Sequence, residues 1–105
     1  MRHYNGWLWG QLREKYGDAV DTNYGPLISI EKRKFGIATQ THRIWCPTPD
    51  DYKISRDCVA EVHEIGGNII SYATTWSRPS EEGKLRAREL GILIMPHGAT
   101  IAYFE

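Results

Sequence analysis

The sequence predicts a single domain of α+β or α/β class, in which an antiparallel N-terminal meander and a C-terminal parallel βαβ unit share one mixed β-sheet with about three helices. Three observations support this prediction. The 105 residues suffice for one domain and leave little room for a second. Apolar residues switch between helical spacing and short strand-like runs. The second half reads strand, helix, strand, which is the order of a right-handed parallel crossover.

The N-terminal half is predicted to be one helix followed by the meander. Apolar residues at helical spacing indicate a helix over residues 4–16, and Gly17 ends it. Residues 18–26 are rich in turn formers, which predicts a loop or a short strand followed by a turn. Residues 31–34 are polar and are predicted to form a turn between strands. The three predicted strands cover residues 27–30, 35–39 and 42–46.

The C-terminal half is predicted to alternate helices and strands. One helix runs from about Pro49 or Ser55 to Ile65, and a second is capped by Ser80 and ended by Gly91. The face of the first that should be buried carries Ile54, Cys58, Val62 and Ile65. The predicted parallel strands cover residues 68–76 and 92–95. A turn over residues 96–98 leaves room for a last antiparallel edge strand over residues 100–104.

Composition and charge narrow the class of protein. Lys plus Arg number 13 and Asp plus Glu number 13, so no global field draws the chain onto nucleic acid or an anionic membrane. Cys46 and Cys58 are too few for a disulfide scaffold and are expected to be thiols. No apolar stretch has the length of an export signal or a membrane span, which predicts a cytoplasmic protein. A net charge of zero favours self-association, and a homodimer is expected.

The loop after the predicted strand 68–76 is the strongest candidate site. It lies between the carboxyl end of a strand and the N-terminus of a helix, where open α/β sheets bind ligands. Thr74, Thr75 and Ser80 supply hydroxyl groups, and Arg78 suits a phosphate or a carboxylate. The alternative is that Thr and Ser cap the helix while Arg78 is solvated.

Trp7 and Trp9 form a second candidate, a protein–protein interface. A spacing of two residues turns a helical side chain by about 200°, so the two rings lie on different faces of the predicted helix. At least one is therefore expected to be partly exposed, as large aromatics at interfaces are. The alternative is one core tryptophan beside one boundary tryptophan.

A basic patch offers an alternative function. Lys32, Arg33, Lys34 and Arg43 lie near aromatic residues, a combination that binds single-stranded nucleic acid. Lysine-rich hairpin tips are also common where an edge strand is protected from pairing, which is the simpler interpretation.

No spacing in the chain predicts a metal, a cofactor or a catalytic group. The four histidines, His3, His42, His63 and His97, lack the local pairing of zinc ligands. Cys46 is a better nucleophile candidate than Cys58, which falls on the apolar face of a helix.

The element order resembles the core of restriction-endonuclease-like nucleases, and the segment from Gly66 through the strand at residues 92–95 looks like the later part of that fold. The resemblance implies an acidic residue, for which Asp18 or Asp21 would stand, and a Glu-x-Lys pair on the third strand. The sequence has Thr41-His42-Arg43 there. Such a protein would lack two-metal hydrolysis and would bind nucleic acid.

A second resemblance is to haloacid-dehalogenase-like phosphatases. The predicted helix 55–65, the strand beginning Gly66-Gly67-Asn68 and the threonine at 74 or 75 are similar to consecutive motifs of that family, which implies hydrolysis of phosphate esters. The nucleophilic Asp-x-Asp is absent, since the candidate strand reads Ile28-Ser29-Ile30-Glu31.

The sequence is thus interpreted as a small binding or assembly module that forms homodimers and takes a small anionic ligand or a protein partner. Nucleic-acid binding by a degenerate nuclease-like core and hydrolysis of phosphate esters are the alternatives. Short stand-alone chains of this kind are often accessory products of mobile elements, which is context and not a property of the residues.

Overall fold

The computed structural model describes residues 2–51 and 53–105, which contain four α-helices and six strands. The helices are α1 (Gly6–Tyr16), α2 (Arg56–Glu64), α3 (Glu81–Leu90) and α4 (His97–Tyr103). The strands are β1 (Ile28–Lys34), β2 (Ile37–Trp45), β3 (Lys53–Ile54), β4 (Ile69–Tyr72), β5 (Arg78–Pro79) and β6 (Leu93–Pro96). Short 3₁₀ turns cover Gly17–Ala19 and Pro49–Asp51. Within the described residues, no helix is both long enough and apolar enough to cross a membrane.

The main sheet is mixed and has the strand order β1-β2-β4-β6. Strands β1 and β2 are antiparallel, whereas β2, β4 and β6 are parallel to one another. Helix α2 connects β2 to β4 and helix α3 connects β4 to β6, as parallel strands require crossovers. The two-residue strands β3 and β5 form a separate parallel pair. The predicted mixed-sheet α+β class and the parallel βαβ unit are confirmed.

The predicted meander of three strands is wrong, because residues 28–45 form one long hairpin. The polar residues 31–34 continue β1, and β2 runs without a break through the region expected to contain a second turn. The chain reverses instead at Phe35 and Gly36, which have φ angles of 54° and 77°. Positive φ at both central residues is what a two-residue type I′ hairpin turn needs.

The sheet separates two hydrophobic layers, because successive strand residues point to opposite faces. One layer packs α1 and the end of α4 on the sheet. Its buried side chains include Leu8, Leu12, Ile28, Ile30, Ile44, Ile69 and Phe104. The other packs α2 and α3 on the opposite face. Its buried side chains include Trp45, Val59, Val62, Ile70 and Ala87. The expected apolar face of α2 is corrected here: Val59 is buried, while Ile65 is 42% exposed.

The last element is helix α4, so the predicted turn at residues 96–98 and the predicted edge strand at residues 100–104 are wrong. The β-forming residues there do not join the sheet, because Ile101, Tyr103 and Phe104 pack against the core cluster that contains α1. Thr100 is fully buried and its hydroxyl donates to the carbonyl oxygen of Pro96. Tertiary packing therefore overrides the local β-propensity.

Strand β4 ends at Tyr72, before the predicted end at residue 76. Residues 74–76 form a turn, so the candidate loop leaves the sheet earlier than expected. The chain then runs through β5 into α3, whose N-cap is Ser80 and whose end at Gly91 is left-handed, both as predicted. Gly83 lets α3 approach β3 closely, since a Cβ there would lie 2.2 Å from the carbonyl oxygen of Ile54.

Candidate ligand-binding site

An aromatic cavity of about 290 Å³ opens at the carboxyl end of the parallel strands. Ala73 follows β4 and His97 follows β6, so the sheet brings these two positions to one edge. Tyr4 and Trp7, at the start of α1, and Trp76, in the loop after β4, complete the wall. The lining is mostly apolar with one imidazole, which is the usual character of a small-molecule site.

Two pairs of rings set the shape of this aromatic cavity. Tyr4 and Trp76 meet edge to face, with ring centroids 5.7 Å apart and planes at 84°. Trp7 and His97 are 5.4 Å apart with planes at 40°. Trp7 remains 54% exposed and Trp76 38% exposed, so large aromatic surface is open to solvent at the mouth. Exposed clustered aromatics are typical of binding surfaces rather than of a packed core.

His97 is held by a chain of side-chain hydroxyls beneath the cavity. Its Nδ1 lies 2.6 Å from Oγ of Ser71, which lies 2.7 Å from Oγ1 of Thr100. Thr100 in turn donates to the carbonyl oxygen of Pro96 over 3.1 Å. Ser71 and Thr100 are fully buried, so the chain anchors the imidazole from inside the domain. Burial lowers the pKa of His97, which favours the neutral imidazole.

A second cavity, of about 520 Å³, adjoins the first through Trp76, which lines both. We call it the cationic cleft. It is lined by Lys53, Thr74, Thr75, Trp76, Ser77, Arg78, Pro79, Ser80 and Glu81. Lys53 and Arg78 are register partners in the parallel pair β3–β5, and both are exposed. Within the described residues neither makes an ion pair, whereas Glu81 at the rim is paired with Lys84.

Ser77 gives the cationic cleft a polar group with no partner. Its residue is only 5% exposed, and its Oγ has no hydrogen-bond partner among the described residues. Buried hydroxyls are normally satisfied, so Ser77 is an exception in this wall, and its Oγ has almost no surface of its own open to solvent. The N-terminus of α3 adds its positive dipole end to the same cleft.

The structure brings all four predicted loop residues to this cleft. Thr74, Thr75 and Arg78 are exposed along its wall. Ser80 also lines it, but its hydroxyl accepts from the backbone N–H of Gly83 and donates to the carbonyl oxygen of Ile54. Of the four residues, Ser80 therefore caps the helix, as the alternative interpretation of this loop expected.

The two tryptophans of α1 lie on different sides, as their spacing requires. Trp7 forms the aromatic cavity. Trp9 is half-buried, its indole N–H donates to the carbonyl oxygen of Asp21 over 2.9 Å, and its ring packs against Tyr24 at 5.3 Å. Of the two, Trp7 is the one that presents a large exposed surface.

Among the described residues, one of the four basic side chains proposed for nucleic acid is in an ion pair and three are not. Lys32 lies over the ring of Tyr103, with Nζ 3.8 Å from the centroid. Arg33 pairs with both Asp18 and Glu31. The Lys34 side chain is near Phe35 at the hairpin tip. Arg43 lies on β2 with its side chain exposed.

Among the described residues no group of three or more His, Cys, Asp or Glu side chains could hold a metal ion. Asp18, suggested by the nuclease resemblance, is bonded to Arg33 at 2.9 Å. Cys46 is buried and forms no disulfide, and burial raises the pKa of its thiol well above the ordinary value. A thiol held protonated in this way is a poor nucleophile.

The residues predicted to bind a ligand did not include five others that line the two cavities: Tyr4, Lys53, Trp76, Ser77 and His97. Two signals were available. Trp76 belongs to the loop that was singled out, and His97 directly follows a predicted buried strand parallel to the one before that loop. Tyr4 and Lys53 carry no such local signal.

Compared with known proteins, the chain matches no protein-family model, no curated protein and no solved structure.

Proposed function

We propose that this domain is a binding module for a nucleoside phosphate. The flat base enters the aromatic cavity and the phosphate enters the cationic cleft. The observation that carries the proposal is Trp76, which forms a wall of both cavities and so places a stacking site next to an anion site. A nucleotide is a common ligand that carries both a flat ring and a phosphate.

The aromatic cavity supports stacking of a base. Trp7 and Trp76 offer exposed ring surface, and base–aromatic stacking is worth about 1–3 kcal/mol per base. A cationic ligand would also suit aromatic walls. The neighbouring Lys53 and Arg78 disfavour a ligand of net positive charge.

The cationic cleft supports the phosphate. Arg78 offers a planar fork of donors and Lys53 a point charge, on adjacent strands. Thr74 and Thr75 add exposed hydroxyl donors that suit phosphate oxygens. Helix termini and such cations together form ready anion sites.

The same chemistry has two sources, a free nucleotide and the 5′-phosphorylated end of a single strand. Isothermal titration calorimetry with AMP, adenosine and inorganic phosphate tests the first. Fluorescence anisotropy with a short 5′-phosphorylated oligonucleotide and its unphosphorylated form tests the second. We expect AMP to bind more tightly than adenosine or phosphate alone. Preference for the oligonucleotide would assign the site to strand ends, and no binding in either arm would overturn the proposal.

The expected homodimer is a separate proposal, for which the exposed rings of Tyr4 and Trp7 are the candidate surface. We also propose that the protein acts in the cytoplasm, with which the buried thiol of Cys46 is compatible. Multi-angle light scattering with and without AMP tests the first point. A dimer that dissociates with AMP would show that the second copy and the nucleotide compete for one surface.

A further inference from the structure

We infer that His97 makes the aromatic cavity selective for a nucleobase that offers an N–H donor in the plane of its ring, such as the amine of adenine. This inference rests on the proposed function, since it names the class of ring that the same cavity takes. It is carried by the hydroxyl chain through Ser71 and Thr100.

The chain of hydroxyl groups fixes the tautomer of His97, because each hydroxyl has only one proton to donate. It contains three hydrogen bonds, from His97 to Ser71, from Ser71 to Thr100 and from Thr100 to the carbonyl oxygen of Pro96. A carbonyl oxygen only accepts, so the one proton of Thr100 is used there. Ser71 must then donate to Thr100. All three bonds form together only if His97 donates from Nδ1 to Ser71.

A neutral imidazole protonated on Nδ1 has a lone pair on Nε2. The Nδ1 edge is anchored inside the domain, and Nε2 makes no hydrogen bond among the described residues. His97 itself lines the aromatic cavity, with Trp7 against its ring. The ring therefore offers a hydrogen-bond acceptor to a molecule in the cavity. A ligand with an N–H at this position should bind more tightly than a ligand with a lone pair there.

Ser71 is a positioning residue in this arrangement. It is fully buried in β4, so it does not reach a ligand and acts only through His97. Its oxygen accepts a hydrogen bond from Nδ1–H, so the proton stays on Nδ1 and Nε2 remains an acceptor. Loss of the Ser71 hydroxyl should relax the tautomer without altering either the aromatic wall or the cationic cleft.

The test uses two ligands that share the ribose and phosphate and differ in one group. AMP has the exocyclic amine, and purine riboside 5′-monophosphate has a hydrogen atom in its place. We expect the wild-type protein to bind AMP about tenfold more tightly, which is the value of one hydrogen bond in a half-open site. Both should need the phosphate.

Three variants separate the roles. His97→Phe keeps a ring against Trp7 but removes the acceptor, so the two ligands should bind equally. Ser71→Ala should reduce the discrimination several-fold, and the ¹⁵N chemical shifts of the His97 ring should show a shift away from the Nδ1–H tautomer. His63→Phe, on the exposed surface of α2, is the control and should retain the wild-type ratio. Thermal unfolding checks that each variant is folded.

The outcomes distinguish the two proposals. Equal binding of AMP and purine riboside monophosphate by the wild-type protein, with dependence on phosphate retained, overturns the role of His97 and leaves the proposed function intact. If the His97→Phe variant still binds AMP more tightly than purine riboside monophosphate, the role of His97 is likewise overturned and the proposed function remains intact. Failure of both ligands to bind overturns the proposed function and the selectivity with it.

Discussion

Lys53 and Arg78 are paired across the short parallel ladder β3–β5, and both line one cleft without an ion pair among the described residues. Two like charges on neighbouring strands repel each other, and this repulsion is relieved when an anion lies between them. The ladder is short, but Ile54 next to Lys53 is fully buried, and its carbonyl oxygen accepts from the backbone N–H and the hydroxyl of Ser80. At exposed positions this repulsion is small, so it favours an anion in the cleft without requiring one.

Arg78→Ala should weaken binding of AMP by about ten- to a hundredfold, because hydrogen bonds to charged groups are worth about 1.5–3 kcal/mol. The thermal midpoint should change little, since the side chain is exposed. Calorimetric titration at low salt gives the first value and differential scanning calorimetry the second. Arg43→Ala removes the same charge from an exposed position on β2 and should bind as the wild type does. Equal loss in both variants would point to general screening of charge and away from the cleft.

Gly83→Ala should destabilise the domain by about 1–3 kcal/mol, the usual cost of overpacking. The added Cβ would lie 2.2 Å from the carbonyl oxygen of Ile54, so α3 and β3 must separate. Gly10→Ala is the matched control, because a Cβ at that position in α1 meets nothing within 4 Å. It should stabilise by about 0.5–1 kcal/mol. Urea denaturation followed by circular dichroism measures both, and a neutral Gly83→Ala would contradict the close packing described.

Asn5→Ala should cost about 1–3 kcal/mol, since it leaves buried backbone groups without partners. The fully buried side chain of Asn5 donates to the carbonyl oxygen of Gly25 over 2.9 Å and accepts from the backbone N–H of Cys46 over 3.0 Å. It thereby ties the start of α1 to the loop before β1 and to the end of β2. Asn23→Ala, in the exposed part of that loop, should have little effect on the same urea transition.

Phe35→Asn should stabilise the protein by about 0.5–1 kcal/mol, because it relieves a left-handed backbone that phenylalanine tolerates poorly. Phe35 has a φ of 54° and its side chain is 92% exposed, so little burial is lost. A midpoint raised by a few degrees in a thermal scan is the expected result. A lowered midpoint would mean that the ring makes a stabilising contact at the hairpin tip.

Stability should fall as the pH drops from 7 to 5. Burial lowers the pKa of both His42 and His97, and Lys32 lowers that of His42 further. The unfolded chain, with histidine pKa values of about 6.5, then binds more protons than the folded one, so unfolding is favoured as the pH falls below that value. Urea midpoints across this range measure the effect. The double variant His42→Gln with His97→Gln should show a flatter profile, and an unchanged profile would assign the effect to other groups.

Local chemistry made part of the fold predictable. The Ser80 cap and the Gly91 end of α3 depend on residues adjacent in sequence, so their signals are in the sequence itself. The helical structure of residues 100–104 depends on contacts such as the one between Thr100 and Ser71. These positions are distant in the sequence, so no local pattern predicts the contact. The prediction for the hairpin was wrong because a polar strand that extends beyond the core has the composition of a turn.

The candidate site divides in the same way. Residues 74–80 could be predicted because a strand end followed by a helix start is visible in the sequence. Tyr4 and Trp7 reach the aromatic cavity only because α1 packs on the sheet beside α4. The position of His97 at the end of a buried parallel strand could be predicted, whereas the helix that begins with it could not, because residues 96–98 have the composition of a turn.

The outer half of the β1–β2 hairpin has little beneath it, because every residue from Arg33 to Thr41 is exposed. At its inner end the side chains of Ile28 and Ile44 are fully buried. The rate of amide hydrogen exchange should therefore fall along these two strands from the tip to the core. Amide protons near the tip exchange through small local fluctuations, whereas those beside Ile44 exchange only when the whole domain unfolds. The hairpin thus joins the most slowly and the most rapidly exchanging parts of the sheet in one continuous pair of strands.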